Sequence, residues 1–81
     1  MEHSSDIFQP DFEYAFPESV TYIFDKMDLH TLRFQAKQLC ELSEVIVTCD
    51  IYELDRKQMI TLCSQLFIFY NYIIAKEDLG Y

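Results

Sequence analysis

The sequence predicts an all-α protein: a three-helix bundle with a long antiparallel helical hairpin, preceded by an extended acidic-aromatic N-terminal arm. Three observations predict it. Apolar residues recur at helical spacing in three stretches after residue 17. A proline and two aspartates stand where helix starts favour them. The one β-branched stretch, Val45-Ile46-Val47-Thr48, is followed by no second strand of comparable quality to pair with it.

The arm is expected over residues 1–16 and the helical domain over 17–81. The arm carries Glu2, Asp6, Asp11 and Glu13, contains Pro10 and has no lysine or arginine. Between the charges sit Ile7, Phe8, Phe12, Tyr14 and Phe16, and the last three alternate as in an extended segment laid on an apolar surface. Two fates compete for it: folding back over its own bundle, or docking on a partner as a recognition strip. Folding back is favoured, because a chain of this size hides only about 60–65% of its unfolded surface and gains from every apolar contact.

Pro17-Glu18 opens the first helix. Proline costs nothing where the N–H is unpaired, and Glu18 complements the positive helix end. Val20, Ile23, Phe24 and Met27 follow at helical spacing. Asp28 caps the second helix, expected from about Leu29 to about Thr48, with Leu32, Ala36, Leu39, Ser43 and Ile46 on one face. Asp50-Ile51-Tyr52-Glu53 fits a capping box, with Cys49 and Leu54 as its apolar staple. The third helix is therefore expected from about Ile51 to about Asp78. Arg56 and Lys57 oppose its dipole, and Glu53 four residues before Lys57 offsets that by about 0.2–0.5 kcal/mol. Its main stripe is Met59, Leu62, Cys63, Leu66, Phe69, Tyr70 and Ile73, and a second stripe is Ile60, Phe67, Ile68 and Ile74. Together they cover more than half of the circumference, so this helix needs contacts on two sides. From Gln58 to Ala75 no residue is charged. That length is near the lower limit of a membrane span. Gln58, Thr61, Ser64, Gln65 and Asn71 are costly in a bilayer, and a central core helix is the better reading.

Composition narrows the function. The chain has 81 residues, 14 acidic and 6 basic, for a formal net charge of -8. That acidity opposes direct binding to nucleic acid or to an anionic membrane. Apolar residues at 51% and aromatics at 16% oppose a disordered acidic tail. One glycine is too few for a phosphate-cradling loop. Cys40, Cys49 and Cys63 form no Cys-x-x-Cys pair, and read as free thiols in a reducing cytoplasm rather than metal ligands or disulfides. His3 and His30 have no catalytic partner in sequence, and no Glu-x-x-His repeat offers a metal site. No enzyme activity, cofactor or metal is expected.

What remains is protein–protein interaction. The expected function is that of a small cytoplasmic regulator or inhibitor docking on a larger cellular protein. Phe8, Phe12, Tyr14, Phe16, Tyr52 and Tyr72 are the expected anchors, because tyrosine and phenylalanine suit half-wet interfaces. Glu13, Glu41, Glu44, Glu53 and Asp55 are the expected steering charges. Tyr70 and Tyr72 fall on different faces of the third helix, so Tyr72 with Ile68 and Asn71 forms a candidate edge. Two alternatives stand beside this. Carboxylates replacing phosphates would make a DNA mimic that blocks a basic nucleic-acid-binding protein. The third helix would alternatively drive self-association, as in a homodimer.

Overall fold

A computed structural model describes residues 7–78, and these are mostly helical, in agreement with the all-α class. Three helices follow one another: α1 (Glu18–Asp25), α2 (Leu29–Ser43) and α3 (Arg56–Asp78). The stretches β1 (Ile7–Phe8) and β2 (Ile46–Val47) form a two-stranded parallel sheet, and a 3-10 turn spans Ile51–Glu53. Helix α3 is central, packing against both α2 and α1. The core consists of Phe24 from α1, Leu32, Ala36 and Leu39 from α2, and Met59, Leu62, Cys63 and Leu66 from α3, closed by Val45 and Leu54.

The start of α1 follows the expectation within one residue. Pro17 stands just before the helix at φ -58°, and its carbonyl accepts the N–H of Val20 at 3.0 Å. Asp28 caps α2 as expected, its carboxylate accepting the Thr31 N–H at 2.7 Å. Those bonds to the charged form hold its carboxyl below the usual aspartate range.

Helix α2 ends at Ser43, five residues before the expected Thr48. Glu44 adopts a left-handed conformation at φ 59°. The Val45 N–H then bonds the Cys40 carbonyl at 3.1 Å and the Glu44 N–H bonds the Glu41 carbonyl at 3.3 Å. This pair of bonds is a Schellman stop, built here without the usual glycine. The β-branched residues beyond it become β2. Their partner lies upstream: Ile7 pairs with Ile46 and Phe8 with Val47 in parallel register. The Thr48 N–H extends the ladder to the Phe8 carbonyl at 3.2 Å. The strand thus draws its partner from the arm, forty residues earlier, and not from the sequence that follows.

Helix α3 starts at Arg56 and not at Ile51. The Asp50 carboxylate does accept a backbone N–H, from Tyr52 at 3.0 Å, but this bond closes only the 3-10 turn. The chain then extends at Leu54, which is buried in the core. The working capping box lies five residues later. The Asp55 carboxylate accepts the Gln58 N–H at 2.8 Å, and the Gln58 side-chain oxygen accepts the Asp55 N–H at 3.1 Å. Glu53 therefore stands outside the helix and makes no i,i+4 pair with Lys57. Arg56 resolves its conflict with the dipole by donating to the carbonyls of Asp25 and Met27, at the negative end of α1.

Candidate functional site

Within its described part, residues 7–16, the arm does not stay extended, and residues 1–6 of the expected arm lie outside the described residues. Asp11 bends it: the Asp11 side chain accepts the Glu13 N–H at 3.1 Å, and its carbonyl accepts the Tyr14 N–H at 3.2 Å. This aspartate-built turn breaks the alternation expected of Phe12, Tyr14 and Phe16. Phe12 turns inward and packs against the core. Tyr14 stays exposed and Phe16 half-buried, with their ring centroids 4.6 Å apart.

One side chain ties the bend to α3. The Gln65 amide donates to the Asp11 carbonyl at 2.7 Å and accepts the Asp11 N–H at 3.3 Å. Both backbone groups of Asp11 are thus satisfied by a single glutamine, as a strand neighbour would satisfy them. Phe8 packs beside Phe69, with ring centroids 6.3 Å apart. Between the bent arm and α3 lies an open groove of about 430 Å³, lined by Phe8, Gln9, Asp11, Tyr14, Phe16, Gln65, Ile68, Phe69 and Tyr72. Its lining is mostly apolar, with polar groups from Gln9, Asp11, Gln65 and the two tyrosine hydroxyls. Tyr14 and Tyr72 are 58% and 59% exposed, and Ile68 is 42% exposed, so the groove's upper walls lack a covering layer. Lys76 stands over the Tyr72 ring at 5.3 Å.

The expected anchors divide between places. Phe8, Tyr14, Phe16 and Tyr72 line this groove together. Phe12 belongs to the edge of the core. Tyr52 lies elsewhere, on the 3-10 turn, where its hydroxyl accepts from Lys37 Nζ at 2.8 Å. That bond raises the Lys37 ammonium above its ordinary value, helped by the charge of Glu41. Among the expected steering charges, Glu13 is exposed on the arm's bend next to Tyr14. Glu41 and Glu44 stand at the end of α2, Glu53 on the 3-10 turn, and Asp55 is occupied as a helix cap. None of these five lines the groove. Sequence reasoning missed Gln9, Asp11, Gln65 and Phe69 as groove residues. An Asp-x-Glu-Tyr turn signal at Asp11 was present for the bend, but no local pattern foretells which helix residue clasps it.

The three thiols are free. Burial pushes the Cys63 thiol up to about 12, with a further push from Cys40, and its S–H points at the Leu32 carbonyl at 3.3 Å. Burial also raises Cys40 and Cys49, the first with help from Cys49 and Glu41. A raised thiol is a poor nucleophile and a poor metal ligand at neutral pH. Among the described residues, no group of three His, Cys, Asp or Glu is placed to hold a metal ion. Helix α3 is long and apolar enough to cross a membrane by length and composition, with a mean hydropathy of 1.3 over its best window. A third of that window is buried inside this fold, where Met59, Leu62, Cys63, Ser64 and Leu66 face other elements.

Comparison with known proteins finds no matching family model, no similar curated protein and no similar solved structure.

Proposed function

We infer that this chain is a small protein-binding regulator that docks a larger cellular protein in the groove between its arm and α3. The observation carrying this reading is the groove itself: four of the six expected anchors, Phe8, Tyr14 and Phe16 from the arm and Tyr72 from α3, line one apolar concavity. Concave apolar surface with a few polar groups at its rim is the usual setting of a recognition site. The partner segment is one that presents an apolar side chain to Ile68, Phe69 and Tyr72 beside a basic residue. Asp11 at the rim, Glu13 on the neighbouring bend and the net charge of -8 favour such a residue.

On this reading the residues from 17 onward are a three-helix bundle in which α2 and α3 form an antiparallel hairpin, and residues 1–16 are an arm carried on it. The protein acts by binding and not by catalysis, in a reducing cytoplasm that suits its free thiols. Self-association through the same helix is a distinct outcome, in which the groove's occupant is a second copy.

The test is capture from native cell lysate with stepwise salt elution, run in parallel with Tyr14→Ala/Tyr72→Ala. Truncating the arm would be a poorer probe, because Phe8 and Phe12 also support the core. A partner held through high salt by the native chain and lost by the double variant supports groove docking. A partner released from both at moderate salt indicates carboxylate mimicry instead. Recovery of the protein alone, with a mass that rises with concentration, indicates self-association.

A further inference from the structure

On the surface formed by α2 and the 3-10 turn lies a second, smaller concavity of about 180 Å³ with opposite character. Its lining is His30, Arg33 and Phe34 from the first half of α2, Lys37 one turn on, and Tyr52 facing them. The chain has only six lysines and arginines against fourteen carboxylates. Two of those six cations and one of its two histidines meet here, and no carboxylate lines the cleft. Helical spacing explains the first part: residues 30, 33, 34 and 37 share one face of α2. The turn closed by Asp50 explains the second, because it sets Tyr52 across from that face.

The contacts that position the cations come from neutral groups, and Glu41, outside the cleft lining, also acts on the charge of Lys37. Arg33 Nη2 donates to the Tyr52 carbonyl at 3.3 Å, and Lys37 Nζ donates to the Tyr52 hydroxyl at 2.8 Å. The guanidinium carbon and the ammonium lie 5.6 Å and 5.3 Å from the Tyr52 ring centroid. Such contacts orient a positive charge without neutralising it. Arg33 Nε has no acceptor within the fold but is shut off from solvent, so an oxyanion in the cleft would have to be held through the terminal nitrogens and not through Nε. Arginine is suited to oxyanions through its forked donors, and lysine adds a point charge. Phe34 and Tyr52 are more than half exposed and supply flat walls on which a ring can rest.

We propose that this cleft binds a phosphate monoester with an aromatic or planar body, its oxyanion held by Arg33 and Lys37 and its ring against Phe34 and Tyr52. The site is separate from the arm groove and does not depend on what the groove binds.

The test is titration of the full chain with phenyl phosphate and with inorganic phosphate at constant ionic strength, followed by NMR shifts of the amides and the arginine side chains. Saturable shifts at residues 30–37 and at Tyr52 are expected, with phenyl phosphate binding at least threefold more tightly than inorganic phosphate. Lys37→Gln changes an exposed residue and should weaken phenyl phosphate at least fivefold. Arg33→Gln should do the same if its melting curve remains native. Lys26→Gln, beside Tyr22 on α1, should bind like the unaltered chain. Shifts that rise linearly without saturation, that chloride reproduces, or that persist unchanged in Lys37→Gln would overturn the site. Equal affinity for the two phosphates would overturn the part given to Phe34 and Tyr52.

Discussion

The two halves of α3 carry similar apolar side chains and are covered differently. From Met59 to Leu66 the helix is enclosed: Met59, Leu62, Cys63, Ser64 and Leu66 have no exposed surface. From Ile68 to Ile74 Phe69, Tyr70, Ile73 and Ile74 are half-buried, while Ile68 and Tyr72 are open. The first half faces the core side chains of α1 and α2. The second half has the bent arm, clasped through Gln65, and the arm leaves a groove beside it. Apolar content therefore identifies a helix that needs cover. Whether the cover comes from within the chain depends on how far the neighbouring elements reach.

The largest expected contrast between the halves is in stability. Leu62→Ala should cost about 2–5 kcal/mol, since it empties an enclosed site. Ile68→Ala should cost less than about 1 kcal/mol, because its side chain is already 42% exposed. Urea unfolding of the two variants checks this, and equal losses would break the distinction between enclosed and open halves.

The enclosed half should also respond to alkali. The Cys63 thiol is raised to about 12 in the fold, against about 8.5 for an unfolded thiol. Below the unfolded value both states keep the proton and the fold retains its full stability. Between about 8.5 and about 12 only the unfolded state releases it, so stability should fall as pH rises through that window. Denaturation midpoints measured from pH 7.5 to pH 10.5 should drop for the native chain. They should drop less for Cys63→Ala, whose buried site carries no ionisable group. In the same state Cys63 should resist alkylating reagents at pH 8 while the half-buried Cys49 reacts first.

The hydrogen bonds that tie the arm's bend to α3 come from one glutamine. Gln65→Ala removes both bonds to Asp11 and should cost about 1–2 kcal/mol. Its more specific sign is local. The Thr48 amide, bonded to the Phe8 carbonyl, should exchange with solvent faster as the arm lifts, while the Leu66 amide in α3 should keep its protection. The smallest effect is expected at the exit of α2. Glu44→Gly relieves a left-handed residue with a Cβ and should stabilise the fold by up to about 1 kcal/mol, read as a raised melting temperature.

Much of this arrangement was legible along the chain, where short-range chemistry decides. The Asp28 cap, the start of α1 and the buried stripe of α3 all follow from residues within a turn or two of one another. The misplaced boundaries come from rivalry between similar signals. Asp50 and Asp55 each head an Asp-x-x-Glu/Gln pattern, and burial of Leu54 between them makes Asp55 the true cap. Val45-Ile46-Val47 was ambiguous because its strand partner lies forty residues upstream in the arm. The groove mixes both kinds of information. Phe8, Tyr14, Phe16 and Tyr72 stood out as aromatics, whereas Gln65 is one glutamine among several and gains its part only from the Asp11 backbone opposite it.

The central claim is that the open half of α3, with Tyr72, and Tyr14 of the arm form a surface for another protein. Its most direct measurement is the difference between proteins captured from native lysate by the unaltered chain and by Tyr14→Ala/Tyr72→Ala, after both are shown to melt at the same temperature. The account predicts a partner retained through high salt by the first and absent from the second. Capture of the same proteins, in the same amounts, by both chains would contradict it.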